Sequence, residues 1–163
     1  MAKEKKEKKV KQEKMDVDSE VETVRYVSPI AHPLAEKKFT KKIFKTIKKA
    51  GKAKHVRRGV KEVGKALRKG EKGFVIIAGD ISPIDVVAHM PVLCEDSNVP
   101  YVFVSSKEEL GEASLTKRPT SVAMVVFGGK SKDAKDAEAA ADYKEMYDEC
   151  YAQAKELDEK LVY

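Results

Sequence analysis

The run Gly73–Ala78, GFVIIA, is continuous, apolar and largely β-branched, and Gly79-Asp80 closes it. A strand without a polar side belongs inside a sheet that is covered on both faces, so this run calls for helices above and below. Two further runs are of the same kind: YVFV, Tyr101–Val104, introduced by Pro100, and SVAMVVF, Ser121–Phe127, ended by Gly128 and Gly129. A short extended piece around Ala53–Arg57 supplies a fourth strand. With segments of helical period between them, the chain reads as α/β, a single three-layer α/β/α sandwich with a small mixed four-stranded sheet.

The helical segments are set by spacing and punctuation. Phe39, Ile43, Phe44 and Ile47 recur at helical intervals within Leu34–Lys49, with lysines at the other positions, which predicts a basic amphipathic helix. Val60, Val63 and Leu67 predict a second helix, stopped by Gly70. In ISPIDVV, Ser82 is placed to cap, Pro83 to take the first helical position and Asp85 to lie in the first turn. Pro91 then breaks or kinks that helix. Ser106-Lys-Glu-Glu109 is a capping-box pattern for a short helix, followed by the loop SLTKRPT, Ser114–Thr120. Tyr143, Tyr147, Cys150, Ala154, Leu157 and Leu161 alternate spacings of four and three, a heptad-like stripe that fits docking on its own domain or on a partner equally well.

This gives three parts: a charged tail over 1–28 that reads as disordered, an α/β domain over 29–130, and an acidic amphipathic helix over 131–163. The tail's basic half, MAKEKKEKKVKQEK, is compatible with a nuclear import signal, a nonspecific RNA-touching arm or a solvated spacer. It has no apolar stretch of the kind a secretory signal needs, and no run approaches a membrane span, so a soluble, unsecreted protein is expected. Two cysteines, Cys94 and Cys150, without a C-x-x-C pair, and three scattered histidines argue for a reducing compartment and against structural zinc.

Charge is partitioned. The formal net charge is +6, but Glu36–Lys72 holds 16 Lys or Arg against 3 Glu, a balance of +13, and Asp133–Lys160 holds 10 acids against 4 Lys, a balance of −6. The first segment is a polyanion site by charge, which predicts nucleic-acid affinity without predicting specificity.

Within it lies GVKEVGKA, Gly59–Ala66, one residue short of a nucleotide phosphate loop. Such a loop must keep its backbone out of a helix and needs a hydroxyl for magnesium. Here Val60 and Val63 already belong to a helical stripe, and Ala66 has no oxygen to offer. No cofactor is expected. His89 reads as a partly buried structural residue, the paired acids suit helix surfaces, and no residue set has the spacing of a catalytic site.

RRGVKEVGKALRKGEKGFVIIAGD, with DVVAHMPVLCEDSNVPYVFVSSKEELGEA and KRPTSVAMV, closely resembles the kink-turn RNA-binding family of ribosomal and ribonucleoprotein proteins, over about Ala31–Phe127. Within that family the match looks nearest to the branch found in H/ACA small nucleolar ribonucleoproteins. The resemblance implies RNA contacts by Arg58, Gly59, Lys61, Glu62 and Lys65 at the start of the second helix, by Asp80 and Ile81, and by Thr116, Lys117, Arg118 and Pro119 in the loop before the last strand. The spacing agrees: Arg58, Lys61, Glu62 and Lys65 fall on the helix face opposite Val60, Val63 and Leu67. Glu62 is compatible with a helix ion pair or with accepting from guanine.

Members that bind kink-turns tightly usually carry Asn where Lys61 stands, and an ammonium has donors only. The resemblance therefore implies weaker or less selective RNA binding by the isolated protein. It further implies H/ACA guide RNA, a dyskerin-type pseudouridine synthase, the particle's small scaffold protein and its glycine-arginine-rich subunit as partners, in the nucleus and nucleolus. The rival readings are a kink-turn protein of C/D-type or spliceosomal particles, and a protein-interaction module that touches RNA nonspecifically.

Overall fold

Every residue of Gly73–Ala78, Tyr101–Val104 and Val122–Val126 is buried in a computed structural model that describes residues 26–127 and 134–160; at the ends of the third run, Ser121 is half-buried and Phe127 is exposed. In chain order the elements are α1 (Lys37–Lys52), β1 (Val56–Arg58), α2 (Val60–Arg68), β2 (Gly73–Ala78), α3 (Asp85–Asp96), β3 (Tyr101–Val104), α4 (Lys107–Ala113), β4 (Val122–Val126) and α5 (Ala134–Glu159). The sheet order is β1-β4-β2-β3. β4 runs antiparallel to β1 and β2, while β2 and β3 are parallel, so the sheet is mixed as expected. α1 packs against α4 and α5, and α2 against α3, which gives helices on both faces. The reading of residues 1–25 as a tail falls outside the described residues. Ser28, inside the 1–28 segment, is buried, and its N–H donates to Gly79 O at 2.7 Å.

The heptad-like stripe docks in cis. Tyr143, Tyr147, Cys150 and Ala154 of α5 are buried. Tyr143 Oη lies 2.7 Å from His55 Nδ1, Cys150 Sγ lies 3.5 Å from Thr46 Oγ1 of α1, and the Tyr147 ring packs 5.5 Å from Phe74. Leu161 falls outside the described residues. Burial, with Asp158 and Glu95 nearby, pushes the Cys94 thiol up to about 12, so it sits in α3 as a small apolar filler.

Four local expectations fail around α3. Ser82 does not cap it and Pro83 does not take its first position: Ile84 is the N-cap residue and the helix begins at Asp85 without a side-chain cap. Of the break or kink expected at Pro91, the break does not occur, and the helix continues to Asp96. A proline inside a helix costs about 3 kcal/mol, but Val87, Met90 and Cys94, on both sides of it, are fully buried. At about 1.5–3 kcal/mol for each of the larger anchors, burial outweighs the lost backbone bond. His89 is exposed rather than partly buried.

Four helices end in the same way, with the residue after the C-cap in the left-handed region and two backbone bonds closing the turn. α2 uses Gly70 (φ +72) and α3 uses Asn98 (φ 52), residues that tolerate this conformation. α1 uses Lys54 (φ 60), with Lys54 N–H donating to Gly51 O and His55 N–H to Ala50 O. α4 uses Leu115 (φ 59), with Leu115 N–H donating to Glu112 O and Thr116 N–H to Gly111 O. For a residue with a Cβ the left-handed region costs about 1 kcal/mol, so two of the four ends carry strain that glycine would remove.

Candidate nucleic-acid interface

Gly59 leaves β1 with φ 86 and ψ 150, a backbone that residues with a Cβ avoid, and it serves as the N-cap of α2. Its N–H donates to Val122 O at 2.7 Å and its carbonyl accepts from Val63 N–H at 3.0 Å. Gly59 thus fixes the start of α2 against the start of β4. Because the cap has no side chain, it leaves first-turn amides of α2 facing outward, at the positive end of the helix dipole. Lys61, Glu62 and Lys65 are exposed on this helix, whereas Val63, Ala66 and Leu67 are buried beneath it. The phosphate-loop pattern is therefore helix, as its apolar stripe predicts.

Glu62 does work inside the protein: its carboxylate accepts the Arg58 N–H at 3.4 Å, one turn back. Arg58 in turn reaches across to the α4–β4 loop, where its guanidinium donates to Ser114 O at 2.9 Å. Arg57, counted among the basic residues of this stretch, is taken up by Glu71 at 3.2 Å, with side chains only 13% and 16% exposed.

The loop Thr116–Pro119 is pinned at several points. Thr116 Oγ1 accepts Arg118 N–H at 3.2 Å, Thr116 N–H donates to Gly111 O, and Thr120 N–H donates to Lys107 O. A Cβ on Gly111 would collide with the Arg118 carbonyl, so that glycine lets the loop lie directly on α4. Lys117, Arg118 and Pro119 are left exposed, and Thr116 is half-buried. A loop held in this way presents its two cations without ordering itself on binding.

Asp80 and Ile81 differ from the rest. Asp80 is half-buried and its carboxylate accepts Lys107 N–H at 2.9 Å, at the start of α4. Ile81 is 8% exposed and belongs to the core. Both lie at the C-terminal end of β2, beside the loop, where they build its floor. Sequence reasoning passed over Lys107, whose Nζ lies 3.5 Å from Asp80 O, and Leu115, which is 52% exposed at the loop's entrance.

The start of α2, the end of β2 and the α4–β4 loop thus meet at one end of the sheet. There Arg58, Lys61, Lys65, Lys117 and Arg118 form an exposed cationic surface around a glycine-led helix start. Such a surface suits a phosphate backbone, with amides and cations together. Among the described residues, no group of three or more His, Cys, Asp or Glu could hold a metal ion, and no helix is long and apolar enough to cross a membrane.

The model of the ribosomal protein L7Ae/L30e/S12e/Gadd45 family matches residues 41–135. The chain is 62% identical to the H/ACA ribonucleoprotein complex subunit nhp2 of Schizosaccharomyces pombe over 109 residues, 67% of this chain and 69% of that protein. It is 50% identical to the H/ACA ribonucleoprotein complex subunit 2 of Pongo abelii over 130 residues, 80% of this chain and 77% of that protein. Among solved structures, the Giardia lamblia 15.5kD RNA binding protein superposes with a TM-score of 0.60 at 34% identity, covering 74% of this chain and 99% of that one.

Proposed function

As the chain belongs to the ribosomal protein L7Ae/L30e/S12e/Gadd45 family, we propose that it is a non-catalytic RNA-binding subunit of an H/ACA ribonucleoprotein, positioning guide RNA for a pseudouridine synthase. The observation that carries this reading is the convergence of Gly59, α2 and the pinned 116–119 loop at one sheet end, with five exposed cations around it. Its RNA-facing set is Arg58, Gly59, Lys61, Glu62, Lys65, Thr116, Lys117, Arg118 and Pro119, with Asp80 and Ile81 supporting from behind. Similarity to H/ACA subunits from a fission yeast and an ape supports the particle assignment. The partners on this reading are H/ACA guide RNA, the dyskerin-type synthase, the small scaffold protein and the glycine-arginine-rich subunit, and the compartment is the nucleolus.

Lys61 sets the character of the binding. On the first turn of α2 it meets RNA with donors only, so it serves phosphates or the acceptors of guanine rather than pairing with both edges of a base. Affinity then comes mainly from charge, and selectivity from the assembled particle.

A second reading, a kink-turn-specific protein of C/D-type or spliceosomal particles, rests on the resemblance to the kink-turn RNA-binding family, and the likeness to the Giardia 15.5kD RNA binding protein agrees with RNA binding under either reading. Titrating a hairpin guide RNA and a kink-turn RNA, with and without the small scaffold protein, separates the two. The H/ACA reading expects similar affinities for both RNAs alone, and a gain for guide RNA with the scaffold. Strong discrimination for the kink-turn by the isolated protein would reverse the order of the two readings.

A further inference from the structure

α1 carries eight exposed lysines on the side opposite buried Phe39, Ile43, Ile47 and Ala50, and none of them belongs to the interface described above. Lysines three and four apart on one face repel one another, so this helix gains from any anion that lies along it. Its two halves have different neighbours. In the N-terminal half, Lys42 pairs with Glu149 of α5 at 3.3 Å, and Lys38 and Lys42 line a groove with Glu156. At the C-terminal end, Lys48 and Lys52 of the helix and Lys54 just beyond its C-cap make no ion pair among the described residues.

That second half adjoins the interface. A Cβ on Gly51 would stand 3.1 Å from Leu115 Cδ1, so Leu115 rests on the last turn of α1, and the next carbonyl back, Ser114 O, holds Arg58. α4 carries Glu108, Glu109 and Glu112, but its acids stop before Ser114. The basic surfaces of α1 and of the interface therefore meet at Leu115. The left-handed helix ends point to the same place. The ends of α2 and α3 use Gly70 and Asn98, whereas the two ends that face each other across Gly51 keep Lys54 and Leu115 in a conformation unfavourable to both.

Resting on the reading of the first interface as an RNA site, we propose that Lys48, Lys52 and Lys54 form a second phosphate-binding patch. It joins the first across Leu115 and holds the backbone of an RNA stem leaving the interface. Exposed ammonium groups continuous with a phosphate site suit an RNA backbone, which they bind without reading sequence.

The test uses the full chain, a hairpin guide RNA with a long or shortened stem, and a series of salt concentrations. The triple variant K48Q/K52Q/K54Q is compared with K38Q/K41Q/K42Q, which removes the same charge from the other half of the same helix. The first triple is expected to flatten the dependence of log affinity on log salt by about 2, at about 0.7–0.9 per lost phosphate, and to weaken long-stem binding about 10-fold. The second triple should cost less than about 3-fold, and the shortened stem should abolish the difference. Equal effects of the two triples, or loss of binding to a polyglutamate peptide without loss of RNA, overturn the patch.

Wild-type protein that binds neither RNA removes the first interface as well. Wild-type binding that depends on Lys65 and Arg118 but ignores K48Q/K52Q/K54Q removes the patch alone. Lys54→Gly separates the side chain from the fold: relief of the left-handed residue should raise Tm by about 3 °C, while RNA affinity falls about 3-fold. A raised Tm with unchanged affinity takes Lys54 out of the patch.

Discussion

The two ends of the sheet are built from different materials. At the end where β1 and β2 finish and β4 begins, the structure is held by backbone bonds and short polar straps, and the long side chains point outward. At the other end, His55, Phe74, Tyr143 and Tyr147 are buried together, with the half-exposed Phe127 ring 5.4 Å from Tyr147 and the Tyr143 hydroxyl 2.7 Å from His55. One end leaves its long side chains exposed, and the other buries its aromatic rings in the core. Stability and RNA binding are therefore expected to respond to different substitutions.

The largest effect falls at the aromatic end. Tyr143 is among the largest fully buried side chains, and it ties α5 to the sheet through His55. Tyr143→Ala is expected to cost about 4 kcal/mol by urea denaturation, the range for removing a buried aromatic ring. RNA affinity per folded molecule should stay within about 3-fold of wild type, since no phosphate contact is lost. A large loss of affinity in protein that remains folded would mean that the two ends are coupled, and the division drawn here would be wrong.

The reciprocal substitution comes next. Lys65→Glu with Arg118→Glu reverses two exposed cations at the interface, one on α2 and one on the pinned loop. RNA affinity should fall about 30-fold at moderate salt. The urea midpoint should move little, because surface charges away from a network contribute about 0–1 kcal/mol. Loss of helical signal in this variant would show that the cations hold the fold rather than the ligand.

How much of this could be read beforehand differs between the two ends as well. β2, β3 and β4 were legible because continuous apolar runs have few other places to go, and the capping Ser106 was legible because its bond to Glu109 N–H is local. The exposed face of α2 at Lys61, Glu62 and Lys65 followed from spacing alone, whereas Arg58, expected on the same helix face, ends β1 instead. Ser82 and Pro83 misled because the helix begins only at Asp85, and Pro91 does not break it because burial of Val87, Met90 and Cys94 on α3, which only the tertiary structure decides, outweighs the local cost. The His55–Tyr143 contact joins residues 88 positions apart, beyond any local pattern. Asp80 and Ile81 entered through family resemblance, and spacing could not tell that the first holds α4 and the second fills the core. Lys54 and Leu115 gave no signal either, because a left-handed helix end announces itself in sequence only when glycine or asparagine occupies it.

The smallest effect concerns Gly64, the second glycine of GVKEVGKA. In a phosphate loop that glycine would be needed for its backbone, and a side chain there would end nucleotide binding. Here it lies inside α2, on the buried side and without a positive φ, and a Cβ built on it meets nothing within 4 Å. Glycine in a helix interior costs about 0.5–1 kcal/mol relative to alanine, because the unfolded chain has more freedom to lose. Gly64→Ala is therefore expected to stabilise the protein by about 0.5–1 kcal/mol in urea and to leave RNA affinity unchanged. The change would slightly stiffen the base from which Lys61, Glu62 and Lys65 project, so it probes both halves of the comparison with one methyl group. A destabilised variant would place an unseen constraint under α2. A stabilised variant with weaker RNA binding would mean that the interface needs the helix to yield, and that the two ends differ in flexibility as well as in composition.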